Sequence, residues 1–156
     1  MTMDLYDELW KLIDALNEAG ASYAVCGGVA LAIHGCTRAT TDIDFLIPEA
    51  EVERVRDLLR PLGYNVPALP MTFNRGTSAE RRVHRVSRIV GEETLTVDLL
   101  VVGTKLDEAW ESRQFLDVGR RRVTCVSRDG LIHMKRQAGR LKDLADLEAM
   151  NSEDIP

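Results

Sequence analysis

The part of the sequence best suited to chemistry is Asp42-Ile43-Asp44. The run Asp42 to Pro48 alternates, with Ile43, Phe45 and Ile47 on one side and Asp42, Asp44 and Leu46 on the other. That is the period of a β-strand, so both carboxylates project from one face, about 6.5–7 Å apart at Cα. Their oxygens can converge on Mg²⁺, which is held by a few carboxylates together with substrate phosphates. Two such ions about 3.5–4 Å apart can activate an attacking oxygen and stabilise a leaving one. Asp98 offers a third carboxylate, the only charge in the apolar run Leu95 to Val102. A lone charge in a buried strand is costly unless it is paired or binds a metal. Its alternative is a structural ion pair with an arginine of the neighbouring run Arg82 to Val90.

Gly27-Gly28 precedes this acidic strand. Glycines at a strand-to-helix turn let the backbone approach a ligand closely, and the free N–H groups of a first helical turn favour phosphate. The pair gains its meaning from the carboxylates that follow the helix.

Elements that would position these residues can be read from periodicity. Asp4 to Ala19 places Leu5, Leu9, Leu12, Ile13 and Leu16 on one helical face and stops at Gly20. Tyr23 to Cys26 reads as a strand, Val29 to His34 as an apolar helix, and Glu49 to Leu62 as an amphipathic helix. Pro67 to Ala79 reads as an irregular connection. Arg82 to Val90 and Thr94 to Val102 read as a strand pair turning at Gly91, followed by a helix over Thr104 to Arg113. Arg121 to Val126 is a last strand before two helices, Arg128 to Ala138 and Leu141 to Met150. This order predicts an α/β (α+β) fold: a mixed sheet with helices mainly on one face and a C-terminal helix pair.

The length, 156 residues, suits a single domain spanning 1–156. No apolar stretch approaches a membrane span, and the acidic, amphipathic start is unlike a signal peptide, so a cytoplasmic location is expected. Cys26, Cys36 and Cys125 are widely spaced and read as reduced thiols rather than a zinc site. The net charge of −5 conceals a segregation. Residues 1–74 carry 5 basic against 11 acidic side chains, whereas residues 75–142 carry 15 against 9. A basic middle would suit a polyphosphate or nucleic acid, or be no more than a solvated surface. Arg81, Arg82, Arg85 and Arg88 with Arg120 to Arg122 could form an RNA-facing rim, though no aromatics cluster with them for base stacking.

Gly27-Gly28, thirteen residues, then Asp42-Ile43-Asp44-Phe45, with Asp98 on a later strand, resembles the nucleotidyltransferase superfamily of DNA polymerase beta type. The runs Gly27-Gly28-Val29-Ala30, His34-Gly35 and Arg38-Ala39-Thr40-Thr41-Asp42 are similar to the AbiEii-like bacterial nucleotidyltransferases, which include toxin–antitoxin proteins. Lys135 and Gly139-Arg140-Leu141-Lys142-Asp143-Leu144-Ala145-Asp146-Leu147 resemble that group's C-terminal motif. The resemblance implies that Asp42, Asp44 and Asp98 are catalytic and hold Mg²⁺ (or Mn²⁺), with Asp98 helping to deprotonate an acceptor hydroxyl. It further implies that Gly27 and Gly28 cradle phosphates, that Arg38 and Thr40 order the site, and that Lys135 and Arg140 neutralise phosphate. Asp143 and Asp146 would orient those bases or contact the nucleoside. Gly28 departs from the Ser of many relatives, leaving only backbone for the phosphate.

The activity so implied is transfer of a nucleoside monophosphate from an NTP such as ATP, with release of pyrophosphate. The acceptor would be a tRNA 3′ end, a protein side chain or a small molecule. The absence of a large second domain weighs against an antibiotic-modifying role. The alternative is a nucleotide-binding module with weak turnover, paired with a cognate toxin or antitoxin protein. A third reading is a structural α/β protein with none of this chemistry.

Overall fold

The computed structural model describes residues 3–36, 39–103 and 105–153. Helix α1 (Leu5–Glu18) begins where Asp4 accepts hydrogen bonds from the backbone N–H groups of Tyr6 and Asp7, an N-cap that satisfies two orphan donors. Its stripe of Leu9, Leu12, Ile13 and Leu16 is fully buried. Strand β1 (Ala24–Cys26) leads directly into α2 (Gly27–Ile33), and β2 (Asp42–Ile47) carries the acidic alternation. Helix α3 (Val52–Leu59) follows, then short strands β3 (Val66–Pro67) and β4 (Met71–Phe73). Strands β5 (Arg81–Val90) and β6 (Glu93–Val101) form a long hairpin. After α4 (Asp107–Glu111), a second hairpin of β7 (Gln114–Val118) and β8 (Arg121–Cys125) precedes α5 (Arg128–Ala138) and α6 (Leu141–Glu153).

One mixed sheet results, in the order β3-β5-β6-β2-β1-β8-β7, with β4 also paired to β5. Strand β2 runs parallel to β6 and antiparallel to β1, while β1 is parallel to β8. Ile43, Phe45 and Ile47 of β2 and Val97 and Leu99 of β6 are buried on one face, within the core that also takes in α1 and α3. Burying each such side chain is worth about 1.5–3 kcal/mol. The opposite face of the same strands carries the carboxylates, and α5 runs beside it.

The mixed sheet and the C-terminal helix pair match the expected fold. The connection from Pro67 to Ala79 is not irregular throughout, because β4 lies within it. Strand β7 falls between the expected helix ending at Arg113 and the expected strand starting at Arg121, where the sequence suggests no element, and the helix itself is confined to α4. The missed strands β3, β4 and β7 are mostly exposed segments, so none carries the apolar alternation that burial imposes. The three cysteines are buried and form no disulfide among the described residues. No helix among the described residues is long and apolar enough to cross a membrane.

Candidate active site

Strand register assembles the acidic site. Asp44 pairs with Cys26 on one side and with Asp98 on the other, and Asp98 pairs with Arg85. Residues paired in register point to the same face, so one row runs Cys26, Asp44, Asp98, Arg85 across four strands. Asp42 lies two residues along β2 on that same face. All five line one cavity of about 250 Å³.

The carboxylates differ in their partners. Asp98, buried, accepts two hydrogen bonds from Arg85: Nε at 2.7 Å and an Nη at 3.0 Å. This bidentate geometry is the strong form of a carboxylate–guanidinium contact. Among the described residues Asp44 has no such neighbour. Burial, then the negative charges of Asp98 and Asp42, push its carboxyl up to about 7, while Lys142 and Arg140 act to lower it. Burial disfavours the charged carboxylate first, and the two acidic neighbours add negative potential to that. Three hard oxygen donors in that potential fit a divalent cation of the Mg²⁺ type. With Asp98 held by Arg85, no three His, Cys, Asp or Glu side chains among the described residues converge as a ready metal-binding group.

Gly27 explains its own identity. Its φ of +66° lies in the left-handed region, and a Cβ there would sit 2.9 Å from Asp44 Cγ and overlap its Oδ2. A side chain at this position would displace the carboxylate. A smaller lobe of about 110 Å³ continues past Gly27 and Gly28, with Thr40 and Thr41 on one side and Lys135 and Arg140 on the other. The Thr40 hydroxyl donates to the Asp42 carbonyl at 3.2 Å, securing the entry to β2. Arg38 lies outside the described residues.

The C-terminal helices contribute cations already engaged with anions. Lys135, only 5% exposed, donates to Asp146 at 2.9 Å and lies 4.0 Å from Asp143. Arg140 Nε donates to Asp143 at 2.6 Å, and its backbone N–H donates to the same carboxylate at 3.2 Å. Asp143 therefore closes the first turn of α6 in the manner of a capping box. Asp143 reaches the cavity wall, whereas Asp146 stands behind Lys135. Helix α5 that carries Lys135 is capped by Ser127 and stopped by Gly139 in the left-handed conformation.

Sequence reasoning quoted Lys142 only as part of the C-terminal motif and gave Arg85 and Arg81 no particular place in the site. Arg81 is buried on the cavity and donates to the Met134 carbonyl at 3.0 Å and to Gln137 at 3.2 Å, tying β5 to α5. Of the arginines that could form an RNA-facing rim, Arg82 pairs with Glu49, Arg85 with Asp98, Arg88 with Glu8, Arg121 with Asp14 and Arg122 with Asp117. These five are thus engaged by the fold's own acids.

The mixed sheet with its acidic row defines a nucleotidyltransferase, and comparison with known proteins agrees. The profile of the aminoglycoside-2″-adenylyltransferase family matches residues 8–150, and the chain belongs to that family. This places it differently from the AbiEii-like resemblance in its motifs. No curated protein sequence matches it. Solved structures share the fold. The lincosamide adenylyltransferase LnuA, determined with lincomycin bound, superposes with a TM-score of 0.63 at 16% identity, covering 94% of this chain and 96% of LnuA. A protein from Thermotoga maritima described as a nucleotidyltransferase gives 0.62 at 14% identity, over 95% of this chain and 92% of the other. ANT(2″)-Ia, in complex with adenylyl-2″-tobramycin, gives 0.57 at 17% identity, over 93% and 86%. The weight set against an antibiotic-modifying role is overturned by the family match, whose description is an aminoglycoside adenylyltransferase.

Proposed function

We propose that residues 1–156 act as one domain that transfers AMP from ATP to a hydroxyl group of a small molecule, with Mg²⁺ or Mn²⁺ held by Asp42, Asp44 and Asp98. The observation that carries this reading is the in-register carboxylate row facing a cavity whose other wall is Lys135, Arg140 and Lys142. One wall suits a divalent cation and the other a polyphosphate. The bound ion would neutralise the triphosphate and ease attack on the α-phosphorus.

The chain's own residues do the rest. Gly27 and Gly28 leave room for the terminal phosphates in the smaller lobe. Lys135, Arg140 and Lys142 hold phosphate charge, and Asp143 and Asp146 fix the first two of these cations in place. Asp98, released by Arg85, accepts the proton of the acceptor hydroxyl on a carboxylate oxygen. The acceptor oxygen attacks the α-phosphorus in line, the bond to the β-phosphate oxygen breaks, and pyrophosphate leaves.

A tRNA or protein acceptor and a toxin–antitoxin partner draw no support from the paired arginines. The test is incubation with α-³²P-labelled ATP and Mg²⁺ against hydroxyl-bearing antibiotics, total tRNA and total protein, with the Asp42→Ala/Asp44→Ala protein as control. Label on a small molecule, lost in the control, is the expected result. Label on tRNA or protein would move the acceptor class. ATP binding without transfer to any pool would favour the nucleotide-binding module.

A further inference from the structure

Among the described residues the cavity is lined by five basic side chains: Arg81, Arg85, Lys135, Arg140 and Lys142. Four of them have their charge met. Arg85 pairs with Asp98, Lys135 with Asp146 and Arg140 with Asp143, while Lys142 is exposed to water. Arg81 is different. It is only 9% exposed, and its hydrogen bonds all go to neutral oxygens. One Nη donates to the Glu80 carbonyl and the Gln137 side-chain amide, the other to the Met134 carbonyl. Its Nε makes no hydrogen bond, yet among the described residues no polar side-chain atom sealed from solvent lacks a partner. The Nε N–H is therefore accessible, and the space that Arg81 lines is the cavity.

A cation taken out of water needs a counter-charge. The C-terminal end of α5, which supplies Met134 and Gln137, offers about half an elementary charge at most. Burial lowers the guanidinium below its usual value; Cys26 and Asp143 counter this only in part, and Arg140 adds to it. Asp42, Asp44 and Asp98 line the same cavity, but in the transferase reading their charge is committed to the divalent ion. An aminoglycoside acceptor, the class in the family's description, is itself cationic and cannot supply the missing charge. The nucleotide is the anion that remains. Its terminal phosphates belong to the smaller lobe at Gly27, Gly28 and Thr40, which Arg81 does not line. Arg81 shares the wider chamber with the three carboxylates, where the α-phosphorus would stand.

Resting on that transferase reading, we propose that Arg81 is a nucleotide ligand, donating its Nε N–H to the α-phosphate while its Nη groups stay bound to α5. A nucleotide so held links β5, which carries Arg81, to the helix whose oxygens fix it.

The test is calorimetric binding of the non-reacting analogue α,β-methylene-ATP, and separately of pyrophosphate, to the full chain with Mg²⁺. Arg81→Gln and Arg81→Lys are compared with the wild type, with urea midpoints measured on all three. Arg81→Gln should bind the analogue about tenfold more weakly or worse, as loss of a charge-assisted hydrogen bond predicts, and keep its pyrophosphate affinity within about threefold. Arg81→Lys retains the charge and should recover most of that loss, although both variants give up part of the tie to α5 and should have similar urea midpoints. Unchanged affinity of Arg81→Gln for the analogue, or equal losses in both variants, would reduce Arg81 to a tie between β5 and α5 and overturn the inference alone. Equal weakening of pyrophosphate would place Arg81 on the terminal phosphates and overturn its assignment to the α-phosphate. A wild-type chain that does not bind the analogue would refute the transferase reading and the inference with it.

Discussion

Replacing Asp44 with asparagine should stabilise the metal-free protein, and by an amount that depends on pH in a defined way. The fold pushes this carboxyl from 3.8 to about 7. A folded state that favours the protonated form loses stability as pH rises from the unfolded value to the folded one, and the loss is then constant. A gap of about three units, at 1.36 kcal/mol each, amounts to about 4 kcal/mol at pH 8 and about 1 kcal/mol at pH 4.5. An asparagine side chain carries no charge in either state, so the difference between variant and wild type isolates this group from other carboxylates. For a chain of this size 1 kcal/mol moves Tm by roughly 2–4 °C, so Asp44→Asn should melt about 8–16 °C higher at pH 8 in EDTA. Near pH 4.5 the gain should shrink to a few degrees. Saturating Mg²⁺ should raise the wild type toward the variant and leave the variant unmoved. Circular-dichroism melts at the two pH values, with and without the ion, make the measurement. A variant no more stable than wild type at pH 8, or equally stabilised at both pH values, would refute the account of Asp44 as a carboxylate strained by burial and by its acidic neighbours.

Other perturbations probe the same face. Arg85→Gln leaves Asp98 without its guanidinium; with Arg85 40% and Asp98 12% exposed at their side chains, the loss should lie between surface and buried pairs, about 1–3 kcal/mol in EDTA melts. The same variant should bind Mn²⁺ more tightly in a nucleotide-free paramagnetic titration, because Asp98 no longer has to leave Arg85. Gly27→Ala combines left-handed backbone with overlap on Asp44; it should cost about 2 kcal/mol in urea unfolding and abolish transfer, whereas an active protein would show the close approach to be incidental. Lys135→Met strips a buried cation from Asp146 and Asp143 and should cost about 3 kcal/mol, so an unchanged urea midpoint would show that this network does not hold the helix pair.

How much of this was legible in the sequence depends on what burial had written there. Strands β2 and β6 are readable because one face is apolar throughout, and that pattern exposes Asp42, Asp44 and Asp98 as exceptions. Strands β4 and β7 lie at the sheet margin with exposed side chains, so their residues carry no periodic demand. Arg85 was visible as one of several arginines on its strand, but its pairing with Asp98 depends on hairpin register, which composition does not reveal. The basic middle of the chain was legible as a count. Its meaning was not, because a count cannot separate cations facing a ligand from those facing Glu8, Asp14, Glu49 or Asp117. The apolar part of the cavity lining was hidden for a related reason, since Phe73, Val83, Leu100 and Met134 come from four separate elements.

The carboxylates also act on the fold that displays them. Side chains alternate with period two along a strand, so slipping β6 by one residue against β2 would turn Asp98 into the apolar face occupied by Val97 and Leu99. An unpaired carboxylate among Ile43, Phe45 and the leucines of α1 would cost several kcal/mol. The same slip across β5 would separate Asp98 from Arg85, which meets it only in the native pairing. A slip by two residues would restore the faces but set Asp98 beside Asp42 or Leu46 instead of Asp44. The Asp98–Arg85 pair thus makes the native alignment of β5 with β6 the favourable one, and the apolar face excludes one-residue slips of β6 against β2. The geometry needed for chemistry and the geometry that keeps charge out of the core are one alignment, which is why a costly cluster of acids can stand at the centre of this sheet.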